Sequence, residues 1–337
     1  MSPRARITGI GSFVPDRVVT NNDLAAFMDT SDEWIVERTG IRERRWVEGS
    51  TATSDLGLQA ARRALDDAGI AAADLDMIFM ATLSPDHEFP GTACFLQAKI
   101  EAPGIPAIDV RQQCTGFVYA VSMADQYIRS GAAQRVLVVG AEIHSKGLDK
   151  STAGRDVTVL FGDGAGAVVL EATEVTDPAS DPHVMSTHLH ADGRFAEELW
   201  TPAPGMAFDG PFVSHDQLER GDHFPKMNGR AVFVNAVQRM PEAVTEALDA
   251  NGYTVDDVDL FLFHQANQRI NESAAKRLGA PPEKVFNTID RFANTTAATI
   301  PIGMAEARRA GKLERGMLVA FAAFGSGFTW GSMLARY

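Results

Sequence analysis

Two side chains with reactive chemistry stand at the ends of apolar runs, where α/β proteins usually place their ligands and catalytic groups. Cys114 lies in Asp109-Val110-Arg111-Gln112-Gln113-Cys114-Thr115-Gly116-Phe117, between a strand-like stretch at 107–110 and a helical pattern at 116–129. A helix N-terminus offers unpaired N–H groups and partial positive charge, which favour thiolate over thiol. The tight turn leaves backbone N–H groups available to an oxyanion. A lone cysteine can equally be a small buried hydrophobe, and spacing leaves both readings open. Cys94, inside the helical pattern 92–100, reads as the buried alternative. His264 closes the apolar run 260–263 and precedes Gln265-Ala266-Asn267, where a helix begins; a catalytic imidazole and a satisfied structural histidine both fit. Asn294, in Arg291-Phe292-Ala293-Asn294-Thr295-Thr296-Ala297-Ala298, reads on its own as a helix cap. The loop Gly162-Asp163-Gly164-Ala165-Gly166 looks like a phosphate cradle, but a strand pattern follows it at 167–170 instead of a helix, so a dinucleotide site is rejected.

The elements that must position these residues repeat. Ala64-Leu65-Asp66 through Gly69, then Asp74-Leu75-Asp76-Met77-Ile78-Phe79, reads as helix, turn and buried strand. Ala247-Leu248-Asp249 through Gly252, then Asp257-Val258-Asp259-Leu260-Phe261-Leu262, repeats it without a gap. GAAQRVLVVG at 131–140 pairs with GKLERGMLVA at 311–320, and Phe161-Gly162-Asp163-Gly164 with Phe324-Gly325-Ser326-Gly327. Matches in the same order indicate two copies of one α/β module. In this alignment Ala81 holds the place of His264, so one copy carries a methyl group where the other carries an imidazole.

Within the modules, Ser54 and Asp55 predict a helix over 56–68 that ends at Gly69. Further helices are predicted over 116–129, 230–250, 267–278 and 297–310, and strands over 77–83, 107–110, 260–263 and 317–324. Alternating βα patterns imply mostly parallel sheets with helical cover. Residues 172–227 read as irregular, rich in Pro, Gly, Asp and His, and too long for a simple connection. Phe195, Trp200, Phe208, Phe212 and Phe224 argue that this stretch packs and is not a disordered linker.

Composition bounds the function. The chain has 337 residues, 45% hydrophobic, and a formal charge of −13. Such an acidic balance speaks against nucleic acid as a partner. Two cysteines make a disulfide framework implausible. The apolar runs are of strand length, so no membrane span is expected. No charged leader followed by an apolar stretch opens the sequence, and the expected compartment is the cytoplasm.

Together these segments resemble β-ketoacyl-acyl carrier protein synthase III, the initiating condensing enzyme of bacterial type II fatty acid synthesis. The resemblance runs nearly end to end: TSDEWIVERTGIRER at 30–44, the Cys114 segment, FGDGAGAVVL at 161–170, STHLHADG at 186–193, HQANQRI at 264–270, ANTTAATIP at 293–301 and FGSGFTWGSML at 324–334. It implies an α/β thiolase-like fold of two duplicated βαβαβαββ halves in a layered αβαβα architecture, usually a homodimer. The first half would span 1–171; the remainder, 172–337, would hold a cap region at 172–227 and the second half.

The resemblance further implies that Cys114, His264 and Asn294 form the catalytic set, with backbone N–H groups of Cys114 and Ser326 as the oxyanion hole. Cys114 would attack acyl-CoA. His264 and Asn294 would donate hydrogen bonds to the malonyl thioester as it loses carbon dioxide. Trp34 and Arg155 would sandwich the adenine of CoA, with Arg38 close by. Arg269, Lys276 and Arg277 would dock the acidic carrier protein, and Phe89 would reach across the dimer into the acyl pocket. Neither metal nor cofactor is implied; CoA thioester and acyl carrier protein act as substrates. Departures from the family pattern concern substrate choice: Arg111-Gln112-Gln113 where small alanines are common, Ser326 for a glycine, Val234 for a basic residue, Arg230 for an asparagine, and a longer stretch at 195–226. A polyketide starter or acyl-transfer enzyme, and a noncatalytic acyl- or CoA-binding protein, are the alternatives.

Overall fold

The computed structural model describes residues 2–337. Its strands form where both faces of an apolar run find cover. In Met77–Ala81, Met77, Phe79 and Ala81 face the middle of the molecule while Ile78 and Met80 face an outer helix layer, and all five are buried. Leu260–Phe263 alternates in the same way. Burying such a side chain contributes about 1.5–3 kcal/mol, which is why runs apolar on both sides become interior strands.

Two sheets result. The first runs in the order Arg4–Phe13, Gly164–Thr173, Arg135–Glu142, Met77–Ala81, Ala107–Val110. The second runs Leu260–Phe263, Leu318–Gly325, Thr329–Arg336, His183–Ala191. Met77–Ala81 pairs in parallel with both its neighbours, and Leu260–Phe263 in parallel with Leu318–Gly325. Between the sheets lie the helices Gly116–Arg129 and Thr299–Arg309; their Phe117, Val121, Ile300 and Met304 share one core with Phe79 and Val138 of the first sheet and Leu262 and Phe321 of the second. Helices Thr53–Ala68 and Thr92–Lys99 cover the outside of the first sheet, and Gly229–Asn251 and Gln268–Leu278 that of the second. The order of layers is αβαβα. The copies differ at one edge: where the first sheet has Ala107–Val110, the second has a single parallel bridge between Phe261 and Val285.

Several sequence expectations shift on packing. The helix expected from residue 56 begins at Thr53, because Asp55 in its first turn accepts a hydrogen bond from the N–H of Ala52 at 2.8 Å, while Ser54 turns its hydroxyl to Asp86 instead of capping. The strand expected to reach residue 83 stops at Ala81, since the N–H groups of Leu83 and Ser84 leave the sheet for the carboxylate of Glu142. The stretch 172–227 is less irregular than its composition suggests. Inside it, His183–Ala191 is an edge strand of the second sheet, antiparallel to Thr329–Arg336, and its half-exposed, histidine-rich residues conceal the pattern of a buried strand. Leu199–Trp200 pairs with Lys226–Met227, and a short helix occupies His215–Glu219. The glycine loop leads into the strand Gly164–Thr173, where a side chain on Gly166 would strike Pro301. No helix among the described residues is long and apolar enough to cross a membrane.

Candidate active site

Cys114, His264 and Asn294 come from three separate segments and line one cavity of about 540 Å³. Cys114 sits in the tight turn Gln113–Thr115 ahead of the central helix Gly116–Arg129. Gln113 holds φ 45°, a left-handed conformation that costs a side-chain-bearing residue about 1–2 kcal/mol. The turn is fixed from the other half: the Thr115 and Thr329 hydroxyls bond at 2.8 Å, and Thr329 donates to the Ser326 carbonyl at 3.1 Å. Gly325 packs so tightly on Cys114 that a Cβ there would stand 2.6 Å from Cys114 Cβ. The backbone N–H groups of Ser326 and of Cys114 itself lie close enough to the sulfur to favour its anion, the placement expected of an oxyanion hole. The Ser326 hydroxyl points elsewhere, donating to the Leu199 carbonyl, so only its backbone faces the sulfur.

The expectation of a ready-made thiolate does not hold. Burial, then the charge of Glu142, pushes the Cys114 thiol up to about 12, and the two N–H groups offset only part of this. A helix N-terminus stabilises an anion by roughly 0.3–1 kcal/mol near a surface, too little to repay desolvation. Cys114 rests as a thiol. Cys94, expected to be buried, is exposed.

His264 follows directly on Leu260–Phe263, its N–H bonded to the Ala322 carbonyl at 2.8 Å. Gln265 ties down the next turn, accepting from the N–H of Thr288 at 3.0 Å. The His264 ring hydrogen-bonds Thr299 Oγ1 through Nδ1 at 2.7 Å. The Thr299 hydroxyl donates in turn to the Thr296 carbonyl at 3.0 Å, so it accepts from the imidazole, and the ring proton belongs on Nδ1. Nε2 is buried without a partner and offers the cavity a lone pair. Burial lowers His264 to about 3, with the Thr296 carbonyl opposing; the resting ring is neutral.

Asn294 is stitched between Leu160 and Gly162. Its N–H bonds to the Leu160 carbonyl at 2.9 Å and its carbonyl accepts from Gly162 at 3.0 Å. Its side-chain oxygen accepts from the Thr296 N–H at 2.8 Å, which leaves the amide NH₂ as a donor toward the cavity. It is therefore more than the helix cap its sequence suggests.

At the cavity mouth, Trp34 lies between two guanidinium groups, Arg155 at 4.5 Å and Arg38 at 4.6 Å from its ring centre. The gap expected to take an adenine between Trp34 and Arg155 is closed, and Arg155 would have to swing aside to admit one. Arg269, Lys276 and Arg277 are all exposed on Gln268–Leu278, while Asn267 at its start reaches the Arg38 carbonyl at 3.0 Å. Phe89 is 84% exposed and does not line its own chain's cavity.

Sequence reasoning missed four polar residues behind the site. Glu142, fully buried at a strand end, accepts from Ser84 Oγ at 2.7 Å and is pushed up to about 7 by burial. His144 bonds Thr296 Oγ1 through Nε2 at 2.5 Å and is lowered to about 3 by burial and then by His264. Thr296 and Thr299 stand inside the quoted ANTTAATIP segment. The available signal was Glu142's place at the end of an apolar run, the same signal that singled out His264.

Comparison with known proteins places this geometry. Residues 108–193 match the family model described as 3-oxoacyl-[acyl-carrier-protein (ACP)] synthase III, and residues 248–337 match its C-terminal counterpart. The chain is 47% identical over 333 residues to a beta-ketoacyl-[acyl-carrier-protein] synthase III of Xanthomonas euvesicatoria pv. vesicatoria (strain 85-10), covering 99% of this chain and 98% of that one. Among solved structures it resembles the 3-oxoacyl-[acyl-carrier-protein] synthase III of Aquifex aeolicus VF5, with TM-score 0.88, 40% identity and coverage of 99% and 100%. It also resembles the priming beta-ketosynthase of the R1128 polyketide biosynthetic pathway, with TM-score 0.89, 30% identity and coverage of 99% and 96%. Matched across its length in sequence and in fold, the chain belongs to the β-ketoacyl-acyl carrier protein synthase III family of thiolase-like condensing enzymes.

Proposed function

We propose that this chain condenses an acyl-CoA primer with malonyl-acyl carrier protein to give 3-ketoacyl-acyl carrier protein, through an acyl-Cys114 intermediate. One observation carries the reading: a buried thiol, an unpartnered imidazole nitrogen and an aimed carboxamide meet in one cavity, with two backbone N–H groups at the sulfur.

Cys114 Sγ attacks the acyl-CoA carbonyl, whose developing oxyanion is held by the N–H groups of Cys114 and Ser326. His264 Nε2 takes the thiol proton and returns it to the departing CoA sulfur, ending neutral. Malonyl-acyl carrier protein then brings an anion beside His264. A carboxylate about 4 Å away stabilises an imidazolium by about 4 kcal/mol at an effective dielectric near 20, or about 3 pH units. The ring, resting at about 3, thereby takes up the one proton that the overall reaction consumes. Nε2–H and the Asn294 NH₂ then donate to the thioester oxygen while carbon dioxide leaves and the enolate forms. The enolate carbon attacks acyl-Cys114, the C–S bond breaks, and His264 returns its proton to the sulfur.

CoA enters past Trp34, Arg38 and Arg155, the carrier protein docks on Arg269, Lys276 and Arg277, and Phe89 completes the acyl pocket of a partner in a homodimer. The likeness to a polyketide priming enzyme keeps a second reading in view, a starter enzyme with another primer. Mass spectrometry after incubation with a panel of acyl-CoAs tests both. One acyl group should appear on the native chain and none on Cys114→Ala; an acylated Cys114→Ala would overturn the nucleophile assignment. The preferred primer separates the two readings.

A further inference from the structure

Thr296 lies beside the cavity and touches no substrate in the proposed reaction, yet it bonds in three directions. Its N–H donates to Asn294 Oδ1 at 2.8 Å. Its carbonyl accepts from Thr299 Oγ1 at 3.0 Å, and Thr299 Oγ1 holds His264 Nδ1 at 2.7 Å. Its own hydroxyl meets His144 Nε2 at 2.5 Å. The orientation of both cavity-facing groups therefore converges on one residue.

That residue is held in an unfavourable conformation. Thr296 has φ 50°, a left-handed conformation that is a genuine outlier for a β-branched residue. Such a conformation persists only where the surroundings over-determine it. Backbone bonds hold the flanks, since Ala298 N–H bonds the Thr295 carbonyl at 3.0 Å and Asn294 N–H bonds Leu160 at 2.9 Å. The Thr296 side chain itself has a single partner, His144.

His144 is rigidly placed for this. Its backbone N–H and that of Ser145 donate to the buried Asp163 carboxylate, at 2.7 and 2.9 Å. Its ring packs at a tilt of 33° against Phe161, 4.4 Å between centres, and Phe161 is bridged to Asn294. Only 8% of the residue is exposed, and the reaction proposed above makes no use of it.

We propose that His144 is a positioning residue for the decarboxylation half-reaction, acting through Thr296 to aim Asn294. This rests on the roles proposed for His264 and Asn294. Acylation of Cys114 needs the oxyanion hole and the Nε2 lone pair but not the Asn294 donor, so loss of His144 should divide the two half-reactions.

The test uses the full-length enzyme and measures separately the acylation rate with acyl-CoA and carbon dioxide release from malonyl-acyl carrier protein. His144→Leu removes the bond to Thr296 and retains bulk; His144→Gln carries an amide of similar reach. We expect His144→Leu to keep acylation within about twofold and to lower decarboxylation by on the order of 10–10², below the 10²–10³ lost with a whole oxyanion donor. His144→Gln should recover most of the loss. Nitrogen NMR of the imidazoles should find the His264 proton on Nδ1 in the native enzyme and in His144→Leu alike, as retained acylation requires. The inference is overturned by equal loss of both half-reactions, by unchanged decarboxylation, or by a His144→Gln variant no better than His144→Leu. His264→Ala and Asn294→Ala run alongside: if these too leave decarboxylation intact, the proposed reaction fails and not merely its scaffold.

Discussion

The two turns that enter the central helices are the same structure put to different uses. Gln113–Thr115 leads into Gly116–Arg129, and Thr296–Ala298 leads into Thr299–Arg309. Each opens on a side-chain-bearing residue in the left-handed region, Gln113 at φ 45° and Thr296 at φ 50°. In the first copy the next residue is Cys114; in the second it is Ala297, at 1% exposure and without chemistry. The strand ends reverse the assignment, with Ala81 in the first copy and His264 in the second. The copies also diverge at the sheet edge. Without a full fifth strand, the chain after Val285 is free to bring Asn294 across to Leu160 and Gly162 of the other half. A duplicated scaffold thus places a thiol from one half beside an imidazole and a carboxamide from the other, and the proposed reaction uses the first as nucleophile and the others to manage protons and negative charge. Gly140 shows how close the halves come, since a Cβ there would lie 2.3 Å from the Ala297 carbonyl oxygen.

This division can be broken most directly at His264. His264→Ala should lower condensation by roughly 10²–10⁴, the range for loss of a positioned proton-transfer group. It should slow single-turnover acylation as well, since Nε2 takes the thiol proton, whereas Asn294→Ala should lower condensation alone. Loss of acylation in Asn294→Ala would mean that the carboxamide serves both steps. A pH series sharpens the same contrast. Condensation requires a protonated His264 in the malonyl complex, so it should decline as pH rises through the range to which the bound anion lifts that ring. Acylation uses the neutral ring, resting at about 3, and should not decline with it. Parallel profiles would refute the proton uptake.

Gly325→Ala tests whether the nucleophile depends on contact between the halves. The added methyl meets Cys114 Cβ at 2.6 Å, and overpacking of this kind costs about 1–3 kcal/mol. A fall in Tm together with slower acylation is expected; an unchanged Tm would mean that the turn yields easily. Glu142→Gln addresses the resting thiol. Burial comes first in raising Cys114 and the Glu142 charge second, and Glu142 itself sits at about 7. Iodoacetamide should therefore alkylate Cys114 faster in Glu142→Gln above pH 7, with little change below, and an identical profile would remove Glu142 from the account. The smallest effects belong to the rim. Trp34→Ala should raise KM for acyl-CoA a few-fold with kcat nearly unchanged, as loss of an exposed cation–π contact of roughly 0.5–1 kcal/mol implies. Lys276→Glu should raise KM only for the carrier protein substrate.

Much of this was legible from residues alone. Runs apolar on both faces marked interior strands at Met77–Ala81 and Leu260–Phe263, and the internal repeat marked the duplication. His264 was visible because it interrupts that repeat. Cys114 and Asn294 were not separable from a buried thiol and a helix cap until their surrounding motifs were weighed together. The strand His183–Ala191 escaped because an edge strand with one half-exposed face lacks the continuous apolar run that signals an interior one. Sequence, through local periodicity and residue type, determined which elements form and which reactive groups the chain carries. Tertiary structure alone decided their electrostatic state. Removal from water, and then the charge of Glu142, push an expected thiolate toward a thiol, and the Thr296–Thr299 chain sets which nitrogen of His264 carries the proton. Desolvation and hydrogen-bond direction depend on neighbours brought together from distant parts of the chain, and no local pattern encodes them.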